Sequence, residues 1–406
     1  MIRLLISTLL LVIACCGAAE SKKKPFFPVA LEQEFPDSEN TFHEVMDLIM
    51  NDYYTEEITE DALFHAAIKG MLRHISPPKS PELGKLWRPA DYDKVKNALK
   101  GVQVSLGVKS TFSQTEGSLT VTSVIPGSPS DGLLQPHDRI MRVNNEVLKG
   151  KPVSEINALL NGEVGTDIKL KIVRDVQVFD ITITFKEFKT PNLTVSILPN
   201  EIAFVEIHKI TSGIADELKG ELQTLHDNNV RKLILDLRNN TGGIFMESLR
   251  MAELFLPGKS IILRLQQRKD MEEVVGLSVE ETKRYVSSND VPFDFEIAII
   301  VNGKTASSCE IVAGALRDHK MATIIGAATY GKSVVEKTYT LDNDYKCKFI
   351  IGVMYTPRGV AWQSKGILPD FSAPQNEKAY KAMSKQTTGV RLKQDVPLIT
   401  AYKLLK

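Results

Sequence analysis

Short apolar runs that are typical of buried strands alternate with helical patterns from residue 189 to residue 375. The helical patterns fall near 213–228, 244–256 and 308–319, and the strand-like runs are Ile202–Ile207, Leu233–Leu237, Ile297–Val301, Ala322–Ile325 and Phe349–Met354. Strands that alternate with helices in this way predict an α/β layer arrangement. Because the whole chain has 406 residues, we expect this core to be one of two or three domains.

In the segment 99–188 the spacing of apolar residues changes from a helical to a strand-like period, which predicts a compact β-rich module. Apolar and polar residues alternate in Val102–Leu106, Leu119–Val124 and Ile168–Ile172, which is typical of half-buried strands. Before it, apolar residues at helical spacing predict a helical region over 39–98 that packs on a neighbouring part of the chain or on a second subunit. Assembly into a homo-oligomer is therefore one of the alternatives. After the core, residues 376–406 predict a C-terminal helical tail.

Composition argues against several classes of function. Lys+Arg and Asp+Glu number 50 each, so the net charge gives no reason to expect nucleic acid or an acidic membrane surface as a partner. The histidines are scattered, without an HExxH or a paired CxxC pattern, and we expect no metal and no other cofactor. Beyond the N-terminal region the cysteines are Cys309 and Cys347, too few for a disulfide framework.

The N-terminus predicts an exported protein. A basic start and an apolar run over Leu4–Ala14 that is too short to span a bilayer are typical of a secretory signal, which we assign to residues 1–19. The sequence Val12–Cys15 also fits a bacterial lipobox, in which Cys15 is lipidated, so a lipid-anchored and a free mature chain both stay open. Residues 20–38 favour a tether. We therefore expect a periplasmic or cell-envelope location, with membrane attachment through the lipid as one form of it.

Two residues at turns suit nucleophilic catalysis. Ser307 comes after the strand-like run that ends at Val301 and opens a helical pattern, and Lys332 follows Gly331 at another turn, 25 residues further along. One helix and one strand between them can return the lysine to the serine. A serine hydroxyl is a poor nucleophile until a base removes its proton, and a neutral lysine amine can do that. Taken alone, the pair also fits a small-residue helix start and an unrelated surface lysine.

A polar loop with two glycines follows the strand-like run that ends at Leu237. It reads Arg238-Asn239-Asn240-Thr241-Gly242-Gly243 and leads into a helical pattern. Backbone N–H groups at a strand–helix turn of this kind can face a developing oxyanion or a phosphate. Taken alone, the loop is also compatible with a tight turn that has no chemical role.

Four motifs in order resemble those of carboxy-terminal processing peptidases, the tail-specific proteases of peptidase family S41. The family patterns are DLRxNxGG…LFLP, VNxxSASASEIxAGALxD, GxxTFGKGxxQ and YYTPxGxxIQxKGIxPD, and the matching segments are 236–257, 301–318, 326–336 and 355–370. The closing Asp395–Lys406 resembles the family's tail. The resemblance covers roughly residues 40–406, and several motifs in a consistent order are more specific than any one of them.

The resemblance implies a crotonase/ClpP-like α/β protease core over 189–375, with roles for particular residues. It implies Ser307 as the nucleophile and Lys332 as the general base. It also implies an oxyanion hole built from backbone N–H groups, with accessory residues from the same motifs. The oxyanion candidates are Gly242, Gly243 and Ser308, and the accessory residues are Arg238 and Asp318.

The β-rich module 99–188 is similar to the family's PDZ domain. Pro136–Ile140 stands where the family has a PGDRI turn, and the loop of Gly101, Val102, Gln103 and Val104 stands where peptide binding is expected. PDZ modules add an extended peptide as a strand and hold its terminal carboxylate on backbone N–H groups. In this loop Gln103 replaces the second glycine of the family pattern.

Two further departures from the family patterns concern the site itself. Cys309 replaces a serine, and a thiolate that rivals Ser307 is one interpretation, while a small buried helix residue is the favoured one because position i+2 of a helix points away from position i. Glu336 replaces a glutamine. If positions 332 and 336 lie on one strand they face the same side, so we expect the carboxylate near the ammonium. It then either moves activity to higher pH or is itself protonated and mimics glutamine.

The sequence therefore predicts an exported serine endopeptidase that acts through an acyl-enzyme on protein substrates with exposed apolar C-termini. The alternative is a non-catalytic or weakened PDZ-containing peptide-binding protein on the same fold. Ser307, Lys332 and the two glycines are all present, which favours the enzyme.

Overall fold

The computed structural model describes residues 37–55, 57–78, 80–267, 283–384 and 386–406. The predicted signal with Cys15 lies outside the described residues, and so does the tether except for its last two positions. The chain divides into two compact units, Met1–Glu82 and Leu83–Lys406. None of the helices in the described part of the chain has the length and apolar content that a bilayer crossing requires.

The described residues of the first unit form the helices α1 (Ser38–Asp52) and α2 (Glu60–His74). Helix α2 begins where the Thr59 side chain accepts a hydrogen bond from the Ala62 N–H at 3.2 Å, which satisfies one of the free donors of the first turn. Met46 and Leu72 are buried, whereas many of the other large apolar side chains of this unit are exposed. The helical region predicted from the spacing begins with these two helices.

The second unit opens with a β-rich part that corresponds to the predicted PDZ-like module. Strand β1 (Lys85–Trp87) and helix α3 (Pro89–Leu99) precede it. A short ribbon pairs β2 (Val102–Val104) with β9 (Glu187–Lys189). Between them lies a sheet in the order β3-β4-β5-β7-β8, with β6 on β5 and helix α4 (Val153–Leu159). Its strands are β3 (Val108–Ser113), β4 (Ser118–Val124), β5 (Arg139–Val143), β6 (Glu146–Val147), β7 (Asp167–Arg174) and β8 (Gln177–Thr184).

The turn before β5 in this sheet is fixed by a buried charge. Asp138 is fully buried, and its carboxylate accepts hydrogen bonds from Arg174 at 2.7 and 2.8 Å and from the Gln135 N–H at 2.9 Å. Burial works to raise the pKa of Asp138, but the hydrogen bonds outweigh it and the net pKa is lowered. The predicted Pro136–Ile140 turn is therefore held by its own aspartate.

The core of the second unit is a six-stranded sheet in the order β10-β11-β12-β15-β16-β19. Strands β10 and β11 are antiparallel and the remaining neighbours are parallel. The strands are β10 (Leu193–Leu198), β11 (Ile202–Ile207), β12 (Lys232–Asp236), β15 (Glu296–Val301), β16 (Ala322–Gly326) and β19 (Phe371–Ser372). The helices are α5 (Ile214–Asp227), α6 (Phe245–Glu253), α7 (Ser308–Asp318), α8 (Glu377–Met383), α9 (Thr388–Gln394) and α10 (Val396–Leu405).

Helices cover both faces of this sheet because its strands are apolar on both sides. In β12, Leu233 and Leu235 join the apolar cluster formed with α5, α6 and α7. Ile234, which points to the opposite face, joins the cluster with Leu398 and Ala401 of α10. A parallel sheet buried on both faces produces continuous apolar runs in the sequence. The predicted α/β layer arrangement is confirmed.

A second sheet brings further residues to the edge of the core. It runs β1-β18-β13-β14, and β17 pairs with β18. The strands that follow β1 are β13 (Ile261–Gln267), β14 (Lys283–Val286), β17 (Val334–Thr340) and β18 (Lys346–Tyr355). Strand β17 follows Lys332 directly, so this sheet continues the chain away from the predicted lysine.

A buried ion network ties the C-terminal helices to the end of β12. The Arg238 guanidinium pairs with Asp236 at 2.6 Å and with Asp395, which precedes α10, at 2.7 Å. Arg391 reaches Glu206 at 2.8 Å and Asp395 at 3.4 Å. Burial works to lower the pKa of Arg238, but the two carboxylates raise it above its ordinary value. The network holds the C-terminal helices against the sheet, next to the loop that follows Arg238.

We expect Arg238→Met to lower the free energy of unfolding by about 3–5 kcal/mol, because the buried carboxylates of Asp236 and Asp395 then lose their closest cation and share only Arg391, at 3.6 and 3.4 Å. Urea unfolding followed by tryptophan fluorescence measures this. Arg88→Met is the matched control, since Arg88 pairs with Asp91 at the surface with its side chain 68% exposed, and we expect a change below about 1 kcal/mol. Equal losses in the two variants would contradict the structural role of the network.

Candidate active site

Ser307 lies at a sharp turn between β15 and α7. Its backbone has φ 56° and ψ −119°, a left-handed conformation that a residue with a Cβ rarely adopts. The Ala306 N–H, one residue earlier, donates to the Asn240 carbonyl at 3.0 Å, so the turn is fastened to the glycine loop. A strained strand-to-helix turn presents a serine hydroxyl at the start of a helix, where N–H groups are free.

Glu310 connects this turn to the segment that carries Lys332. Its carboxylate is completely buried. Oε2 accepts the N–H of Ser307 at 2.7 Å and the N–H of Lys332 at 2.9 Å. Oε1 accepts the N–H of Gly331 at 2.7 Å and the hydroxyl of Thr329 at 2.5 Å. The backbone amides of Ser307 and Lys332 are therefore both held on one carboxylate oxygen.

Burial raises the pKa of Glu310, and the four donors work against that rise. Hydrogen bonds to a charged group are each worth about 1.5–3 kcal/mol. When ionised, the carboxylate has a donor for each of its main acceptor directions. Replacing Glu310 by a side chain that cannot accept four hydrogen bonds therefore destabilises the folded protein.

The segment around Lys332 is hydrogen-bonded to the loop that contains the fourth motif. The Ser333 N–H donates to the Gln363 side chain at 2.8 Å, and the Ile367 N–H donates to the Thr329 hydroxyl at 2.6 Å. Gly331 has φ 89°, and a Cβ there would lie 2.8 Å from the Gly366 nitrogen. Glycine is required at this position because both the conformation and the space exclude a side chain.

The predicted oxyanion loop lies against Ser307. A Cβ on Gly242 would be 3.0 Å from the Ser307 Cβ, and one on Gly243 would be 1.9 Å from the Ile210 carbonyl oxygen. The Gly242 N–H donates to the Asn240 side chain at 3.0 Å. Within the part of the chain that the structure describes, the N–H groups of Gly243 and Ser308 have no acceptor. These two donors are therefore the ones available to an oxyanion.

The Lys332 ammonium is bound to Glu336. Nζ lies 2.7 Å from Glu336 Oε2, while Oε1 of the same carboxylate binds Nζ of Lys348. Among the described residues there is no hydrogen bond between Lys332 Nζ and Ser307 Oγ. The predicted contact with Glu336 is present, but Lys332 lies in the loop before β17, and a β-bulge separates Val335 from Glu336. The two side chains therefore do not meet through the alternation of residues along one strand, which was the reason for expecting the contact.

Glu336 is charged rather than protonated. Burial works to raise its pKa, but Lys332 and Lys348 outweigh burial and the net pKa lies below the usual 4.5. The free energy that these ion pairs contribute to folding is fully present above pH 4.5, the ordinary pKa of a glutamate. It is lost as the pH falls through the lower pKa that Glu336 has in the folded protein. The hypothesis that Glu336 is protonated and mimics glutamine is disfavoured by this shift. At neutral and alkaline pH the carboxylate stays negative.

A mostly apolar cavity of about 390 Å³ opens beside Ser307. Trp87, Phe245 and Met354 contribute apolar wall, and Glu336 and Lys348 also line the cavity. A cavity with apolar walls and a few convergent polar groups is typical of a substrate site.

Cys309 behaves as a buried packing residue. It is fully buried, and burial raises the pKa of its thiol far above the usual range, although the Gly242 N–H works against that rise. A thiol that does not ionise is neither a nucleophile nor a metal ligand. The structure agrees with the favoured interpretation of this position.

The two accessory residues lie apart from Ser307. Asp318 is at the last turn of α7, about 15 Å along the helix axis from the serine, where it accepts the Arg358 N–H at 3.0 Å. Arg238 belongs to the buried ion network described above. Asp318 binds the loop of the fourth motif and Arg238 binds the C-terminal helices, so both stabilise segments that surround the site.

The loop predicted to bind peptide is already paired with another strand of the same chain. Val102, Gln103 and Val104 form β2, which already pairs with β9, and Gly101 precedes that strand with φ 74°. The PDZ-like sheet has two edge strands, β3, which pairs with β4 alone, and β8, which pairs with β7 alone. Strand addition needs an unpaired edge. Of the two, β3 is the edge that follows the predicted loop in the chain, directly after Gly107.

Sequence reasoning gave no role to Glu310 or Lys348. A signal for Glu310 was present, because Ser307 and Glu310 have the S-x-x-E spacing in which a glutamate returns to the first N–H groups of a helix. Its second set of donors, from Thr329 to Lys332, is distant in sequence. Lys348 carries no local signal, since it reaches Glu336 through the pairing of β17 with β18.

The sequence profile of peptidase family S41 matches residues 201–373, and the PDZ domain profile matches residues 92–173. The S41 match contains Gly242, Ser307, Lys332 and Gln363. Residues 201–373 belong to peptidase family S41. The resemblance read from the four motifs is thereby confirmed, and the PDZ domain is confirmed with it.

Two named relatives extend over most of this chain. A protein of Staphylococcus aureus named "Probable CtpA-like serine protease" is 29% identical over 338 residues, and one of Staphylococcus haemolyticus with the same name is 30% identical over 329. These alignments cover 82% and 80% of this chain, and the chain spans 64% and 63% of the relatives' length.

A solved structure named "Putative S41 protease from Bacteroides fragilis NCTC 9343" has the same fold as this chain. The TM-score is 0.60 with 15% identity, and the match covers 92% of this chain and 98% of that one. The mixed α/β core with its PDZ domain therefore shares the fold of that structure.

We expect Glu310→Gln to speed hydrogen exchange in the segments 305–308 and 329–333 by about tenfold or more, since either orientation of the amide turns an NH₂ group toward two donors and leaves them unsatisfied. Hydrogen-exchange mass spectrometry measures both segments at once. Glu116→Gln, at a carboxylate that is 55% exposed, serves as the control and should change neither. Faster exchange in one segment alone would show that Glu310 does not couple the two.

Proposed function

We propose that this chain is a serine endopeptidase in which Ser307 is the nucleophile and Lys332 is the general base. The observation that carries the proposal is the carboxylate of Glu310, which binds the backbone N–H of both residues on one oxygen. The strained turn at Ser307 and the cavity beside it support the same assignment.

The reaction starts when Lys332 releases a proton to solvent. Its neutral Nζ then accepts the proton of Ser307 Oγ while Oγ bonds to the carbonyl carbon of the scissile peptide. The electron pair of the carbonyl moves to its oxygen, toward the N–H of Gly243 in the glycine loop and the N–H of Ser308 at the start of α7. Collapse breaks the C–N bond, and the leaving amine takes the proton from Nζ. Water hydrolyses the acyl-enzyme by the same route.

The proposed substrates are protein chains with exposed apolar C-termini. An extended C-terminus would add to the free edge of β3 in the PDZ domain, with its carboxylate near the Leu106–Gly107 backbone. An apolar side chain next to the scissile bond would enter the cavity beside Ser307. The proposal includes export to the cell envelope, from the N-terminal signal pattern, with Cys15 as the residue that a lipid anchor would use.

One observation favours a second candidate function, a PDZ-containing protein that binds peptides without cleaving them. The Lys332 ammonium is paired with Glu336 and makes no hydrogen bond to Ser307 Oγ among the described residues. A lysine that keeps its proton cannot act as a base. The two candidates differ in whether the chain cleaves a bound substrate.

We expect Ser307→Ala to lower cleavage of an unfolded protein with an apolar C-terminus by at least about a thousandfold, because the acyl-enzyme can no longer form. Cys309→Ala should retain most of the activity, since that thiol is buried and protonated. Electrophoresis of timed digests measures both variants, and pull-down measures substrate binding.

The wild type must cleave for the proposal to stand. If wild type and Ser307→Ala bind the substrate equally and neither cleaves it, the peptide-binding candidate replaces the enzyme. Loss of cleavage in Cys309→Ala with retention in Ser307→Ala would assign the nucleophile to the cysteine.

A further inference from the structure

A second lysine lies in the cavity beside Ser307. Lys348 is on β18, and its side chain is 23% exposed, close to the 22% of Lys332. Strand pairing puts Ile350 opposite Glu336 and Lys348 opposite Thr338, so Lys348 is the diagonal neighbour of Glu336 on the same face of the sheet. The Trp87 ring lies 5.7 Å from the Lys348 ammonium, and a cation over an aromatic face is held there electrostatically.

The Glu336 carboxylate is thus shared between two ammonium groups, with one oxygen on each. Its side chain is 14% exposed, so an unpaired negative charge at this position is unfavourable. With Lys332 protonated, the three groups carry a net charge of +1. When Lys332 loses its proton, Glu336 and Lys348 remain as a neutral pair, and no buried charge is left without a partner.

We propose that Lys348 is a positioning residue of the active site: it holds one oxygen of Glu336 and so lets Lys332 release its proton without leaving that carboxylate unpaired. The inference rests on the proposed function, in which neutral Lys332 is the general base. Without Lys348, loss of the Lys332 proton would leave Glu336 as a half-buried anion with no cation bound to it. Glu336 would then retain the proton on Lys332.

Other titratable groups near this pair come from three elements. Lys85 of β1 lies opposite Lys348 in the strand register, and Tyr92 of α3 lines the same cavity. Glu310 of α7 binds the backbone of Lys332 and is satisfied by its own four donors. Glu336 is therefore the one carboxylate among these groups that binds the two ammonium groups.

The test is the acidic limb of the pH profile of kcat/KM, which reports the base of the free enzyme. We expect Lys348→Met to move this limb to higher pH by about 1 unit, since a charge partner within 4–6 Å shifts a pKa by about 1–3 units. Glu336→Gln should move it to lower pH by about 1 unit. Lys348→Arg keeps the cation and should stay within about 0.3 unit of wild type.

Lys346→Met is the matched control. Lys346 lies on the same strand, two residues earlier, and binds Thr340 at 2.9 Å instead of Glu336, so we expect the limb within about 0.2 unit of wild type because a charge outside direct contact is largely screened. Tryptophan fluorescence and thermal unfolding verify that each variant is folded. If Lys348→Met does not fold, Lys348→Gln takes its place in the series.

The double variant separates an action through Glu336 from a direct effect on Lys332. In the Glu336→Gln background, Lys348→Met should shift the limb by less than half of what it does in wild type. An equal shift in both backgrounds, or no shift in either, overturns the proposal while Ser307→Ala remains inactive and the proposed function stands. Cleavage by Ser307→Ala at the wild-type rate would overturn the proposed function and, with it, the role of Lys348.

Discussion

The buried carboxylate of Glu310 is the interaction on which the rest of the site depends. Ser307 reaches it from the turn before α7, and Lys332 reaches it from the loop before β17, so two segments that are distant in sequence share one oxygen. A backbone hydrogen bond fixes where a residue lies and leaves its side chain free to react. The same carboxylate stabilises the strained turn at Ser307, together with the hydrogen bond from the Ala306 N–H to the Asn240 carbonyl.

Around this carboxylate the polar groups form two separate systems. One is structural: Arg238, Asp236 and Asp395 are buried together and close the sheet beside the glycine loop. The other faces the cavity, where Glu336 lies between Lys332 and Lys348. In the first, Arg238 and Arg391 bind the carboxylates of Asp236, Asp395 and Glu206, and together they hold the C-terminal helices on the sheet. The second carries one positive charge more than it has negative charges, and that excess allows a proton to leave.

Particular residues show how far the sequence could predict this protein. The apolar runs 233–237 and 297–301 predicted the α/β core, because a strand buried on both faces cannot be mistaken for a half-exposed one. Four ordered motifs predicted Ser307 and Lys332 as the catalytic pair. Two features escaped prediction: the pairing of β2 with β9, which occupies one side of the loop expected to bind peptide, and the contact of Lys348 with Glu336. Both depend on strand pairing across long sequence separations, which local pattern does not encode.

The most direct test of the account is whether Ser307 alone becomes covalently modified. A fluorophosphonate reacts with an activated serine, and trypsin would release residues 305–317, which hold Ser307, Ser308 and Cys309, for fragmentation by mass spectrometry. The account predicts one adduct, on Ser307, that is lost in Lys332→Met because the hydroxyl is then no longer activated. An adduct on Cys309, or an adduct on Ser307 that forms equally fast without Lys332, would contradict it.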